Sequence, residues 1–138
     1  MKLQMQGGAA AGKAVFLALA LGGFAIGTAE FAAMTLVPMI ARDLAISVPE
    51  AGNAIVAYAV GVCVGAPVIA LAGARISRRI MLIGMMLLYA LGNGLTAIVP
   101  GYYMLLGCRF VSGLPHGAYF GIAALVASSL VPPNQRSR

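Results

Sequence analysis

Charge is what this sequence lacks most. Only 9% of its 138 residues are Asp, Glu, Lys or Arg, and just 3 are acidic. A water-soluble domain carries roughly a quarter of its residues as charges, so this chain cannot coat a globule with a wettable surface. Tryptophan is absent and there is one histidine. The two cysteines, Cys63 and Cys108, both lie inside apolar stretches. With no second imidazole at ligand spacing, neither a metal site nor a disulfide framework is expected, and both read as small apolar packing residues. There is no glycine-rich nucleotide loop, nucleophile elbow or zinc-ligand spacing, which argues against an enzyme. The net charge of +6 has no long basic run behind it. Its densest group is Arg75, Arg78 and Arg79, without interleaved aromatics, which argues against nucleic-acid binding.

What is present is apolar sequence in long uncharged intervals. Hydrophobic residues make up 62% of the chain and the mean hydropathy is +0.98. Four intervals, about 14–40, 48–72, 80–99 and 102–131, are long enough to cross a bilayer as helices. The expected fold class is therefore all-α: a polytopic membrane bundle of four transmembrane helices forming one membrane domain, 1–138. Residues 1–13 are expected as an N-terminal tail and 132–138 as a C-terminal end. Three further apolar spans follow the first, so it reads as a retained helix and not a cleaved signal. It exceeds the ~30 Å hydrocarbon core and should tilt or protrude. Ser47-Val48-Pro49-Glu50 has capping-box spacing at the start of the second span. Pro67 is expected to kink that span, Pro100-Gly101 to turn the chain, and Pro132 and Pro133 to stop the last helix. Loops this short predict consecutive helices as antiparallel neighbours. Lys2, Lys13, Arg75, Arg78, Arg79, Arg136 and Arg138 all fall on one side of the implied weave. By the positive-inside rule both termini and the middle loop are cytoplasmic.

Glu30 is the leading candidate for function. A carboxylate inside a span is costly, so it faces a cavity or a partner and marks a proton or substrate path; the plainer reading is an ion pair that locks two helices. Arg109 is its natural partner. Glu30 lies roughly 15 Å and Arg109 roughly 10 Å below the same surface, by helical rise, within reach of each other directly or through water. Burial raises a carboxylate pKa and a nearby arginine lowers it, a balance that could set a usable proton affinity. His116, deeper on the fourth span, is a candidate proton relay or substrate contact, against the plainer reading of a satisfied hydrogen-bonding residue. Glycines recur every four residues: Gly23 with Gly27, Gly61 with Gly65, and Gly113, Gly117 and Gly121. Such ladders put small residues on one face, where helices pack closely. With Pro115, the last ladder predicts a kinked, tightly packed helix. Met81, Met85 and Met86 read as packing or lipid contact.

The order of these segments resembles one family. Gly27-Thr28-Ala29-Glu30-Phe31 and Leu36-Val37-Pro38-Met39-Ile40-Ala41-Arg42-Asp43-Leu44 resemble the first helix of major facilitator superfamily exporters, in the branch of drug:proton antiporters and arabinose-efflux-like sugar permeases. Ala57-Tyr58-Ala59-Val60-Gly61 with Gly65-Ala66-Pro67 resembles that branch's second helix. Arg109-Phe110-Val111-Ser112-Gly113 and Pro115-His116-Gly117-Ala118-Tyr119-Phe120-Gly121 resemble its fourth.

The resemblance implies proton-coupled efflux of a sugar or drug by alternating access across a bacterial-type cytoplasmic membrane. The proton gradient would be the energy source, with no cofactor. Glu30 would act in coupling or cation recognition and Arg109 would assist proton transfer. Arg75, Arg78 and Arg79 would sit on the gating loop, although Ala74 stands where an aspartate is usual and Ser77 where a glycine is usual. The family fold has two six-helix halves with the substrate between them. Four helices correspond to part of the N-terminal half, so the expectation is an N-terminal fragment needing the remaining transporter helices from the same or another chain. Its other partners would be the lipid bilayer, protons and a small-molecule substrate. The alternatives are a self-assembling four-helix multidrug exporter and a non-transporting membrane scaffold.

Overall fold

The structure is a computed structural model that describes the backbone of residues 2–131 and the side chains of 12–131. Four helices account for almost all of it: α1 (Lys2–Asp43), α2 (Val48–Ala72), α3 (Arg78–Thr96) and α4 (Tyr102–Leu130), with a short 3-10 turn at Gly73–Arg75. Each is long and apolar enough to cross a membrane, and no strand occurs among the described residues.

The helix ends follow from local chemistry. α1 already begins at Lys2; the lone charge at Lys13, where the tail was expected to end, leaves helix propensity intact. Its apolar stretch, Gly12–Asp43, is 32 residues, about 48 Å at helical rise and well beyond the hydrocarbon core. α1 stops where Ala45 adopts a positive φ of 51° and Ile46 N–H bonds back to the Ala41 carbonyl at 2.9 Å. That closing bond satisfies a carbonyl the helix leaves open. The expected capping box is present: Ser47 N–H donates to Glu50 Oε2 at 2.8 Å, and Glu50 N–H donates to Ser47 Oγ at 3.3 Å. Ser47→Ala should therefore cost about 1 kcal/mol of stability, read as a lower thermal midpoint in detergent; an unchanged midpoint would show that lipid-facing packing alone holds this end.

Both ends of α3 differ from expectation as well. Arg78 and Arg79 belong to the first turn of α3, capped by Ser77 Oγ accepting from Ile80 N–H at 3.4 Å, so only Arg75 sits in the connecting turn. Two cations at a helix N-terminus oppose its dipole, which the exposure of both side chains to solvent offsets. α3 ends at Thr96, short of the expected 99. Gly92-Asn93-Gly94 has low helix propensity, and Asn93 and Thr96 turn their side chains back onto the carbonyls of Tyr89 and Gly92, at 2.9 and 2.8 Å. Pro132 and Pro133 lie outside the described residues.

α4 sits between α2 and α3 and packs on both, most extensively on α2. Consecutive α2 and α3 barely meet, contrary to the neighbour expectation, because α4 takes the space between them. α1 leans on α2 and α4 with far less contact. The α2–α4 seam is built on glycine. A Cβ on Gly61 would strike the Phe110 carbonyl, one on Gly65 the Leu114 backbone, and one on Gly113 the Tyr58 carbonyl. Gly117 approaches Ala66 and Val62, and buried Pro115 lies in the same helix.

The ladders hold only in part. Gly121 and Gly27 face open space, and Pro67, expected in the packing, is exposed while α2 continues through it. Three close approaches fall on glycines outside the ladders: Gly92 against Ser112, Gly22 against the Tyr119 ring and Gly73 against the Met81 side chain. Elsewhere the surface is apolar, with Phe24, Leu71, Ile98 and Tyr103 each more than 70% exposed. Such a surface is unfavourable in water and costs nothing against lipid or further helices.

Candidate functional site

One stripe of α4 carries the chemistry. Leu105, Arg109, Ser112 and His116 recur at spacings of four and three, which puts them on one helix face. α2 presents Tyr58 to this stripe, α3 presents Tyr89 and Asn93, and α1 presents Glu30. Arg109 is 4% exposed, an unusual burial for a guanidinium. It is held from two sides. Its Nη1 donates to Asn93 Oδ1 at 3.2 Å, and its carbon lies 4.5 Å from the centroid of the Tyr58 ring. That ring face attracts the cation and replaces part of its lost hydration.

Tyr58 is itself 2% exposed, and its hydroxyl lies 2.7 Å from His116 Nδ1. His116 is flanked edge-on by Tyr58 and obliquely by Phe120, at ring separations of 5.7 and 5.4 Å. Two further tyrosines hold α1. Tyr89 donates its hydroxyl to the Ile26 carbonyl and Tyr119 donates to the Leu19 carbonyl, each at 3.0 Å. Those carbonyls are seven residues apart, hence on one face of α1, so the loosely packed helix is pinned at two levels.

Glu30 is half-buried and faces this cluster. Its charge acts on Arg109, Tyr58, Tyr89 and His116. No contact ion pair joins it to Arg109, whose direct partners are Asn93 and Tyr58. Of the two arrangements expected, direct contact is absent and the two charges act on each other across a gap. Arg75, Arg78 and Arg79 lie at the far ends of α2 and α3, away from this cluster and exposed.

Beside the cluster a groove of about 600 Å³ opens between α1, the end of α3 and the start of α4. Ala29, Ala33 and Leu36 give it an apolar wall, and Asp43, Asn93, Thr96 and Arg109 supply polar groups. An apolar body with a few hydrogen-bonding groups suits that lining. Among the described residues no group of His, Cys, Asp and Glu could hold a metal. Cys63 and Cys108 are free, and Cys63 is exposed instead of packed.

Sequence reasoning passed over Asn93 and Tyr89, and saw Tyr58 and Tyr119 only as parts of motifs. The available signal was polarity at depth: an amide or phenol in the middle of a span, away from the interfacial belt, requires a partner.

Residues 19–138 match the family model for the Major Facilitator Superfamily. The chain is 49% identical over 121 residues to the inner membrane transport protein YdhP of Escherichia coli K12, covering 88% of this chain and 31% of that protein. It is 44% identical over 123 residues to the putative transporter AraJ of the same organism, covering 89% and 31%. It is 36% identical over 120 residues to a chloramphenicol resistance protein of Streptomyces lividans, covering 87% and 31%. The chain thus spans about a third of the length of the curated relatives it matches. No solved structure matches it. Four helices of membrane-crossing length, a family match over most of the sequence and relatives that are transport proteins establish that this multi-pass plasma-membrane chain belongs to the Major Facilitator Superfamily, a family of transporters and not of enzymes.

Proposed function

We propose that these four helices form the proton-handling part of an efflux transporter that moves a sugar or drug by alternating access, with both chain ends on the cytoplasmic side. The observation that carries this reading is Glu30: a half-buried carboxylate within a membrane-length helix, whose charge reaches a buried arginine and a histidine on α4. An acidic side chain at that depth is retained against a solvation cost, which suits a group that binds and releases protons. Arg109 supplies a fixed positive charge within the field of that carboxylate, and His116 offers a second proton site on the same face of α4. The name of the Streptomyces relative, a chloramphenicol resistance protein, is consistent with export of a small organic molecule.

In this reading the wall opposite the groove comes from the remaining helices of a longer transporter. Substrate and proton then compete for a cavity between halves that rock about these helices. The basic turn at Arg75 and the arginines opening α3 lie at the cytoplasmic surface, where they act on the gate.

The test is efflux in transporter-deficient cells, comparing the 138-residue chain with a version continued through the remaining helices, each with and without Glu30→Gln. Efflux from the extended version that falls to background in Glu30→Gln is the expected result. Efflux that Glu30→Gln leaves intact would end the proton-coupling assignment. Glu30-dependent efflux from the 138-residue chain alone would favour a self-assembling exporter instead.

A further inference from the structure

We propose that Tyr58 is a positioning residue that links the protonation of His116 to the placement of Arg109. Its two ends do different work. The ring face carries the guanidinium of Arg109 at 4.5 Å, while the hydroxyl meets His116 Nδ1 at 2.7 Å. Among the described residues no other side chain makes a hydrogen bond or ring contact to both.

The seam holds Tyr58 in place. Its own carbonyl is the atom against which Gly113 is packed, and Gly61, three residues on, meets the Phe110 carbonyl. Backbones this close leave the ring nowhere to retreat.

The hydrogen bond has a preferred sense. Phenol is a better donor than a neutral imidazole N–H, and an unprotonated imidazole nitrogen is a good acceptor. Neutral His116 therefore accepts from Tyr58 at Nδ1 and carries its proton on Nε2. When His116 takes up a second proton, both ring nitrogens become donors and the bond must reverse: Nδ1–H now donates to the Tyr58 oxygen. The Tyr58 hydroxyl proton turns to another acceptor without leaving its oxygen. Tyr89 interacts with Tyr58, and its own proton is committed to the Ile26 carbonyl at 3.0 Å, so its oxygen is available to accept.

Reversal is felt at Arg109. A phenol oxygen that accepts from an imidazolium draws electron density from the ring face, which weakens its hold on the guanidinium. The new positive charge on His116 repels Arg109 as well. Arg109 then relies on Asn93 and on the field of Glu30. The charged and titratable groups around the pair are thus Glu30 on α1, Tyr89 on α3 and Arg109 on α4, with Asn93 as the neutral partner.

The test uses the full-length transporter in nanodiscs with ¹⁵N-labelled histidine rings, the His116 signal being assigned by its loss in His116→Gln. Wild-type neutral His116 should show one tautomer, protonated on Nε2. Tyr58→Phe keeps the ring and removes the hydroxyl, and should shift the tautomer ratio about fivefold toward the mixed state. An unchanged tautomer ratio would overturn the proposal.

A second arm measures the pH profile of efflux and rests on the proton-coupled reading. Tyr58→Phe should alter the profile, and adding it to His116→Gln should change nothing further. A wild-type profile in Tyr58→Phe, or an equal loss at every pH with the thermal midpoint lowered as far as in Tyr58→Leu, would leave Tyr58 a purely structural residue and overturn the proposal. Wild-type efflux that ignores collapse of the proton gradient would end the proton-coupled reading alone. The tautomer result would stand apart from it.

Discussion

Gly113→Ala should destabilise this protein severely, while Gly121→Ala, about two turns along the same helix, should change almost nothing. The first adds a methyl where the Tyr58 carbonyl and Val62 already sit; the second adds it to open space. Overfilling a packed interior costs about 1–3 kcal/mol when side chains can shift. Here the obstacle is backbone, which yields only if α2 and α4 separate, so the upper end of that range is expected. Gly65→Ala, blocked by the Leu114 backbone, should behave like Gly113→Ala. Thermal unfolding of the full-length protein in detergent measures all three. Equal midpoints for Gly113→Ala and Gly121→Ala would show that the seam relaxes freely. Since both glycines belong to one sequence ladder, the comparison separates spacing from contact.

Arg109→Lys should abolish most transport although it keeps the charge. A lysine ammonium has neither the flat face that stacks on Tyr58 nor the fork that reaches Asn93. Losing a hydrogen bond to a charged group costs about 1.5–3 kcal/mol, and the desolvated cation–ring contact adds to it. At about 1.4 kcal/mol per decade, efflux should fall roughly tenfold to a hundredfold or more. Arg109→Leu should remain folded, because a buried charge replaced by an apolar side chain sheds its desolvation cost, yet transport should be absent. Efflux from Arg109→Lys at wild-type rate would show that only net charge matters at this position.

A double-mutant cycle with Glu30→Gln and Arg109→Gln refines the point. Two charges that interact without contact should couple by about 0.5–1 kcal/mol, well short of the 3–5 kcal/mol lost on breaking a buried contact pair. No coupling at all would remove the electrostatic link between α1 and α4.

Much of this protein follows from composition and local spacing. The scarcity of charge and the length of the uncharged intervals determine four helices in a membrane, since backbone polar groups in lipid must be satisfied within the helix. Ser47 and Glu50 determine the start of α2 because capping is a matter of residues three apart. Glu30, Arg109 and His116 are visible as polar side chains in apolar surroundings. What the sequence leaves open is which way each helix faces. In a soluble helix the apolar stripe points to the core, but a membrane helix is apolar all round, so hydrophobic periodicity does not mark the inner face.

Rotation and neighbour order therefore rest on close packing. α4 inserts between α2 and α3 because its glycines and theirs allow backbones to touch. That insertion brings Tyr58 to His116, 58 residues away in the chain, and under Arg109. It also turns Gly121 outward and leaves Glu30 facing Arg109 without touching it. The sequence by itself determined the helices, their membrane setting and the charges buried in them. Only the tertiary structure decided which charge meets which partner, because in a bilayer that choice depends on steric fit between helix faces and not on the exclusion of water.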